Sequence, residues 1–177
     1  AHPHTDCAGR IAVIHNGIIE NYMPLKEFLS ENGHAFTSVT DTEVLPHLIE
    51  EELKAYAAGG PLSARRSEAA LADAVRAVLK KVRGAYALAA IWSLAPGVIV
   101  AAKKDSPLVI GLGDQENFIA SDVPALLKHT RRVVYLEDGE SAVMRSDRCA
   151  FFNSAGREIE KPPTLIEWDS TAAEKTG

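Results

Sequence analysis

Cysteine, surplus positive charge and long apolar runs are all scarce in this chain, and each scarcity excludes something. Its two cysteines, Cys7 and Cys149, lie far apart in 177 residues. They make neither a disulfide framework nor a metal-ligand spacing. No apolar run is long enough to span a bilayer, and no signal peptide is visible. The expectation is therefore a cytoplasmic chain with no membrane contact. A net charge of −5 argues against nucleic acid or an anionic lipid surface as partner. There is also no internal repeat and no low-complexity block. What remains is 46% hydrophobic and 24% charged, in a length that suits one domain with a substantial core.

The pattern along the chain reads strand, helix, strand, helix, helix, and then a series of strands. Residues 11–14 form a short apolar run fit for a buried strand, broken at Asn16-Gly17. Residues 21–32 predict a helix with Tyr22, Leu25, Phe28 and Leu29 on one face, stopping at Gly33. Residues 35–39 read as a short strand. From 42 to 56, Val44, Leu45, Leu48, Ile49 and Leu53 recur at helical spacing. The stretch through Arg66 reads as a solvated loop, and 67–83 as an alanine-rich helix with Leu71, Val75, Val78, Leu79 and Val82 in its stripe. Short strands are expected at 86–92, 98–102, 109–112, 118–120, 133–136, 141–144 and 149–152. A helical interruption is expected at 122–127, and Gly111-Leu112-Gly113 reads as a hairpin turn rather than a dinucleotide loop.

Chemistry concentrates in His15-Asn16-Gly17-Ile18-Ile19-Glu20-Asn21-Tyr22 and in Thr40-Asp41-Thr42-Glu43. An apolar strand ending at Asn-Gly places an amide side chain and a pliable backbone where N–H donors can meet a ligand oxygen, as an oxyanion hole requires. Alone, the dipeptide reads as a plain turn. Thr40 to Glu43 reads as a capping box, with Thr40 as N-cap and Glu43 reaching back, and Asp41 would then only favour the helix dipole. No Ser-His-Asp triad is completed, no His/Asp/Glu pair is spaced for a metal, and His2, His4 and His15 carry no assigned chemistry. Cys7 has Asp6 beside it, the wrong sign for lowering a thiol pKa. Cys149, next to Ala150-Phe151-Phe152, reads as a small buried hydrophobe.

The longer run resembles the glutamine-hydrolysing domain of the N-terminal-nucleophile (class II) amidotransferases, and within them the glucosamine-6-phosphate synthase group. Ala1-His2-Pro3-His4, Arg83-Gly84-Ala85-Tyr86, Ser106 to Gly113, Glu116 to Asp122 and Leu136 to Glu140 are similar to further stretches of that group, in the same order. Sister amidotransferases that make phosphoribosylamine or asparagine share the Asn-Gly core. The resemblance implies an α+β fold, the four-layer α/β/β/α sandwich of the N-terminal-nucleophile hydrolases, incomplete at its N-terminus. It implies residues 1–160 as a partial amidotransferase domain. Residues 161–177 would be a linker toward a sugar-phosphate isomerase domain, with Trp168 docking on a partner domain.

The resemblance also implies roles. Asn16 (side-chain amide) and Gly17 (backbone N–H) would form the oxyanion hole, with Gly17 also presenting its carbonyl to substrate. Asp41 would pair with the α-amino group of glutamine, a charge-assisted contact. The parent enzyme would pass ammonia from glutamine to fructose 6-phosphate, as a homodimer, with no metal and no organic cofactor. Its nucleophile, a cysteine at the first position of the mature chain, has no counterpart here, so the chain by itself is expected to be inactive. Runs 11–14, 86–92 and 98–102 are expected to lack strand partners. Alternative expectations are another class II glutaminase domain, or a non-catalytic glutamine-binding or scaffold module.

Overall fold

A computed structural model of the chain describes residues 2–57 and 63–167. In chain order the elements are β1 (His4–Thr5), β2 (Ile11–Ile19), α1 (Tyr22–Glu31), a 3-10 turn (Asp41–Glu43), α2 (Val44–Ala57), α3 (Ala64–Leu79), β3 (Gly84–Trp92), β4 (Ile99–Lys104), β5 (Val109–Leu112), β6 (Asn117–Ala120), β7 (Arg132–Tyr135), β8 (Ser141–Met144), β9 (Cys149–Phe152), β10 (Glu158–Ile159) and β11 (Thr164–Leu165). They build a larger sheet in the order β1-β2-β3-β4-β8-β9-β10 and a smaller one in the order β11-β7-β5-β6. Every strand pairing between them is antiparallel.

Side-chain alternation along the central strands sets the layers. On β3, Tyr86, Leu88, Ala90 and Trp92 join the core under the helices, while Ala87 points to the other side. On β4, Val100 and Ala102 face the helices and Ala101 faces the smaller sheet. Both faces are buried, which is why these strands read as continuous apolar runs. Leu45, Leu48, Ile49 and Leu53 of α2 and Leu71, Val75 and Val78 of α3 fill the first interface. Ile110, Val134 and Leu136 meet Ala142, Met144 and Phe151 in the second. A third cluster, Val109, Val123, Leu126, Val133 and Ile166, seals the outer face of the smaller sheet. The fold is thus mixed α/β in the layered order helices, sheet, sheet, covering segment.

Several expected elements differ from what forms. The strand expected to break at Asn16-Gly17 continues to Ile19, because β3 pairs with it along its whole length, Ile11 opposite Trp92 and Ile19 opposite Gly84. The covering segment at 122–127 is a series of turns rather than a helix, closed by Leu126 N–H to Val123 O and His129 N–H to Leu126 O, both i→i−3 bonds. Residues 35–39 make no strand: the Thr37 and Ser38 N–H groups donate to the Glu43 carboxylate instead of to a neighbouring strand. α3 starts at Ala64, within the expected loop, because the Ser63 hydroxyl accepts the Arg66 N–H at 3.4 Å. Phe28, expected on the buried face of α1, stays 48% exposed, while Leu29 is buried and Tyr22 and Leu25 pack beside it. Gly111 lies inside β5, and the turn that follows is closed by Gly113 N–H to Glu116 O.

The three runs expected to lack partners, in β2, β3 and β4, are instead paired on both sides. Three strands went unforeseen. β1 pairs with β2 through His4 opposite Val13. β10 pairs with β9, and β11, inside the stretch read as a linker, pairs with β7 through Thr164 opposite Val133. Trp168 lies outside the described residues. Among the described residues, no helix is long and apolar enough to cross a membrane.

Candidate active site

The site is built on the second half of β2. Ile11, Val13 and Ile19 point into the helix-side core, so the residues between them alternate out of it. Asn16 therefore faces away from the helices and stands exposed, at the lip of a cleft of about 370 Å³ shared with Ala87, Leu108, Ile119 and Ser121. Its side-chain amide holds no hydrogen bond among the described residues, so its two N–H donors remain available.

Gly17 is required by contact as well as by torsion. Its φ is +133°, and a Cβ placed there would lie 2.2 Å from the Ala85 carbonyl oxygen and 3.1 Å from Ser106 Oγ. Only glycine lets β3 approach this closely. The Asn-Gly pair is thus a conformational irregularity inside a paired strand and not a turn.

Asp41 sits in the 3-10 turn that opens α2, and its Oδ2 accepts the Ile19 N–H at 2.6 Å. The Ile19 N–H points outward to Asp41, two residues past Gly17 on β2. β1 covers the edge only at Ala12 and Val13. The open stretch of this strand edge therefore carries a fixed carboxylate close to Gly17.

The residues around Asp41 hold it in place without the expected capping box. Thr40 makes no side-chain cap to the turn; its hydroxyl meets Ser38 Oγ at 2.9 Å and His4 Nε2 at 3.3 Å. Glu43 reaches back past Thr40. Its Oε1 accepts from the Thr37 N–H and hydroxyl, and its Oε2 from the Ser38 N–H and hydroxyl, at 2.5–2.9 Å. Burial pushes the Glu43 carboxyl up, but these four donors outweigh it and bring the pKa down to about 2. His15 is buried, with Nδ1 2.9 Å from Thr42 Oγ1. Desolvation lowers its pKa against the pull of Asp41. His15 thus ties β2 to the Asp41 turn as a neutral ring. Asn21, from the same sequence run, closes the loop beneath by accepting the Arg83 N–H at 2.8 Å and donating to the Lys81 carbonyl at 2.9 Å.

The fold brings Asn16, Gly17 and Asp41 together on one strand and its adjoining turn. It brings neither cysteine there. Cys7 lies in the β1–β2 turn against His34, His47 and Ala35. Cys149 is half-buried in β9, and burial pushes its thiol up to about 12, which leaves it inert. Sequence reading also missed a convergence. Cys7, His34, His47 and Glu50 bring four ligand-type atoms to within 4.8 Å of one another. No metal spacing was read there, because Cys7 and His34 lie 27 residues apart and His34 and His47 lie 13 apart.

Solved structures of similar fold define the class first. Glutamine phosphoribosylpyrophosphate amidotransferase from B. subtilis, complexed with ADP and GMP, superposes with a TM-score of 0.64 at 25% identity, over 84% of this chain and 30% of that one. A structure described as the allosteric regulatory enzyme of purine biosynthesis superposes at 0.61 and 27% identity, over 81% of this chain and 28% of that one. The fold is that of the N-terminal-nucleophile hydrolases.

The sequence narrows this. A family profile described as a glutamine amidotransferase domain matches residues 1–128, and the chain belongs to that family. The glutamine–fructose-6-phosphate aminotransferase (isomerizing) of Methanothermobacter thermautotrophicus is 51% identical over 177 residues, and that of Thermotoga maritima 47%. Each match covers all of this chain, which spans 28% and 27% of those proteins respectively.

Proposed function

We propose that this chain supplies the oxyanion hole and the substrate anchor of a glutamine-hydrolysing site. In this reading the whole protein passes the ammonia to fructose 6-phosphate, giving glucosamine 6-phosphate and glutamate. The observation that carries the proposal is the hydrogen bond from the Ile19 N–H to Asp41 Oδ2 at 2.6 Å, which fixes a carboxylate to β2 two residues past Gly17.

The chemistry follows from the charges that develop. A thiolate attacks the glutamine side-chain amide carbon, the C–S bond forms, and the carbonyl oxygen becomes an oxyanion. Asn16 Nδ2–H and the Gly17 N–H donate to that oxygen, and one such donor is worth about 3 kcal/mol. Asp41, with Oδ2 held by Ile19, turns Oδ1 to the substrate ammonium. The amide nitrogen leaves as ammonia once protonated, and water then hydrolyses the thioester to glutamate. Neither Cys7 nor Cys149 is placed for the attack, so the thiol is assigned to a part of the protein outside these residues. The acceptor assignment is supported by the relatives' shared activity. In the same reading the protein is cytoplasmic and homodimeric, with a sugar-isomerase domain on the same polypeptide.

The test is glutamate release from glutamine, measured on the whole protein and on this chain alone. The whole protein should turn over, with kcat about 10²–10³-fold lower in Asn16→Ala, and this chain alone should release none. A whole protein that binds glutamine without releasing glutamate would favour a non-catalytic binding module.

A further inference from the structure

We propose that Cys7, His34, His47 and Glu50 form a structural zinc site, separate from the oxyanion edge of β2. The four residues come from three places. Cys7 lies in the β1–β2 turn, His34 follows the Asn32-Gly33 turn that ends α1, and His47 and Glu50 sit one turn apart in α2.

The distances suit a four-coordinate ion. With Zn–N and Zn–O bonds of about 2.1 Å and a Zn–S bond of about 2.3 Å, the corners of a tetrahedron lie roughly 3.3–3.6 Å apart. His34 Nδ1 is 3.1 Å from His47 Nδ1 and 3.2 Å from Glu50 Oε2. Cys7 Sγ is 3.7 Å from His47 Nδ1 and 3.9 Å from His34 Nδ1, and His47 Nδ1 is 3.9 Å from Glu50 Oε2. Cys7 and the Glu50 carboxylate, within 4.8 Å of each other, would draw together by up to about 1 Å to reach tetrahedral spacing, and His34 Nδ1 would move slightly outward.

The protonation pattern points to a cation. His34 Nε2 meets Glu51 Oε1 at 2.5 Å. A proton on Nε2 turns the Nδ1 lone pair inward, in the carboxylate–histidine–metal arrangement. Glu50 Oε2 is buried and holds no hydrogen bond among the described residues. The Ala35 N–H donates to Cys7 Sγ at 3.3 Å, a contact a thiolate welcomes. His47 is only 1% exposed. Two imidazole nitrogens, a carboxylate oxygen and a sulfur converge at one point, buried except on the Cys7 side, and such acceptors repel one another unless a cation or shared protons lie among them.

The competing arrangement is a proton in place of the metal, with His34 as an imidazolium between Glu50 and Glu51. One sulfur, two nitrogens and one oxygen match the borderline-soft preference of Zn²⁺. All four positions come from protein, which makes the site closed and structural. Zinc there would pin the β1–β2 turn and the end of α1 to α2, the helix that begins directly after Asp41.

The test uses the whole protein. Metal analysis after purification from zinc-supplemented medium should find zinc in a ratio near one per chain at this site. Cobalt substitution should give a thiolate-to-metal charge-transfer band that Cys7→Ser abolishes and Cys149→Ser keeps. Glu51→Gln, which leaves all four ligands in place, should weaken zinc by about 10–100-fold in a competition titration. Cys7 is exposed in a turn, so its variant stays folded and the readout does not depend on His47→Ala surviving. The proposal is overturned if the wild type carries no zinc and its melting temperature ignores both zinc and chelator. It is also overturned if Cys7→Ser and Glu51→Gln bind zinc as the wild type does.

Discussion

Asp41 holds Ile19: its Oδ2 accepts the Ile19 backbone N–H at 2.6 Å, fastening the turn that opens α2 to the strand that carries Asn16 and Gly17. One carboxylate thus has a structural partner on Oδ2, and its Oδ1 makes no hydrogen bond among the described residues. The two roles separate by substitution. In the whole protein, Asp41→Asn keeps an oxygen for Ile19 but removes the charge. It should raise the glutamine KM by about 10–100-fold, the loss of a charge-assisted bond worth about 1.5–3 kcal/mol, with little change in melting temperature. Asp41→Ala should show the same loss plus about 1 kcal/mol of instability. An Asp41→Asn enzyme with unchanged KM would leave Asp41 as a structural residue only.

Asn16 and Gly17, adjacent in sequence, should fail in opposite ways. Asn16→Ala removes an exposed side chain with no hydrogen bond, so stability should stay within about 0.5 kcal/mol while turnover of the whole protein falls. Gly17→Ala would force a Cβ to within 2.2 Å of the Ala85 carbonyl at a φ of +133°. That should cost about 3 kcal/mol or more through strain and overpacking. Thermal melts of the two variants, read beside glutaminase rates, check both halves. An Asn16→Ala variant that melts far below wild type would mean its amide supports the strand.

How much of this was legible in the sequence differs from element to element. The stripe of α2 was fully readable, since Val44, Leu45, Leu48, Ile49 and Leu53 are all buried, and period alone specifies such a face. The extent of β2 was not, because Asn16-Gly17 carries a local turn signal that pairing with β3 overrides. Glu43 was seen as a reciprocal cap, yet its partners are Thr37 and Ser38, whose N–H groups have no strand to join. The local motif was correct about which side chain turns back and wrong about where it lands. The Cys7–His34–His47–Glu50 cluster had almost no signature, since its members converge only after α1 and α2 pack.

Glu43 should leave a mark on acid stability. Its folded pKa, about 2, lies below the ordinary 4.5. The group therefore contributes its full stability above about pH 4.5 and loses it as pH falls through the window down to about 2. The shift corresponds to at most about 3 kcal/mol. Glu43→Gln should melt lower than wild type at pH 7, and the gap should narrow steadily below pH 4.5. A gap constant from pH 7 to pH 3 would place the acid sensitivity elsewhere.

The face of β2 that carries Asn16 should also make the isolated chain associate. Ile14, Ile18 and Ile91 are 46%, 66% and 49% exposed. Ile14 and Ile18 share a strand face with Asn16, and Ile91 sits opposite Ala12 on β3. Beside them, β1 covers the edge of β2 only at Ala12 and Val13. An apolar face next to an open strand edge invites a second chain, and a net charge of −5 opposes this only weakly. Light scattering on this chain should show mass rising with concentration. Ile18→Lys should return it toward monomer without lowering the melting temperature, because the side chain it replaces already faces solvent. If the wild type stays monomeric across a wide concentration range with a cooperative melt, the exposed isoleucines are tolerated surface. If both forms associate equally, the contact lies on another edge, with β10, β6 and β11 the remaining edge strands of the two sheets.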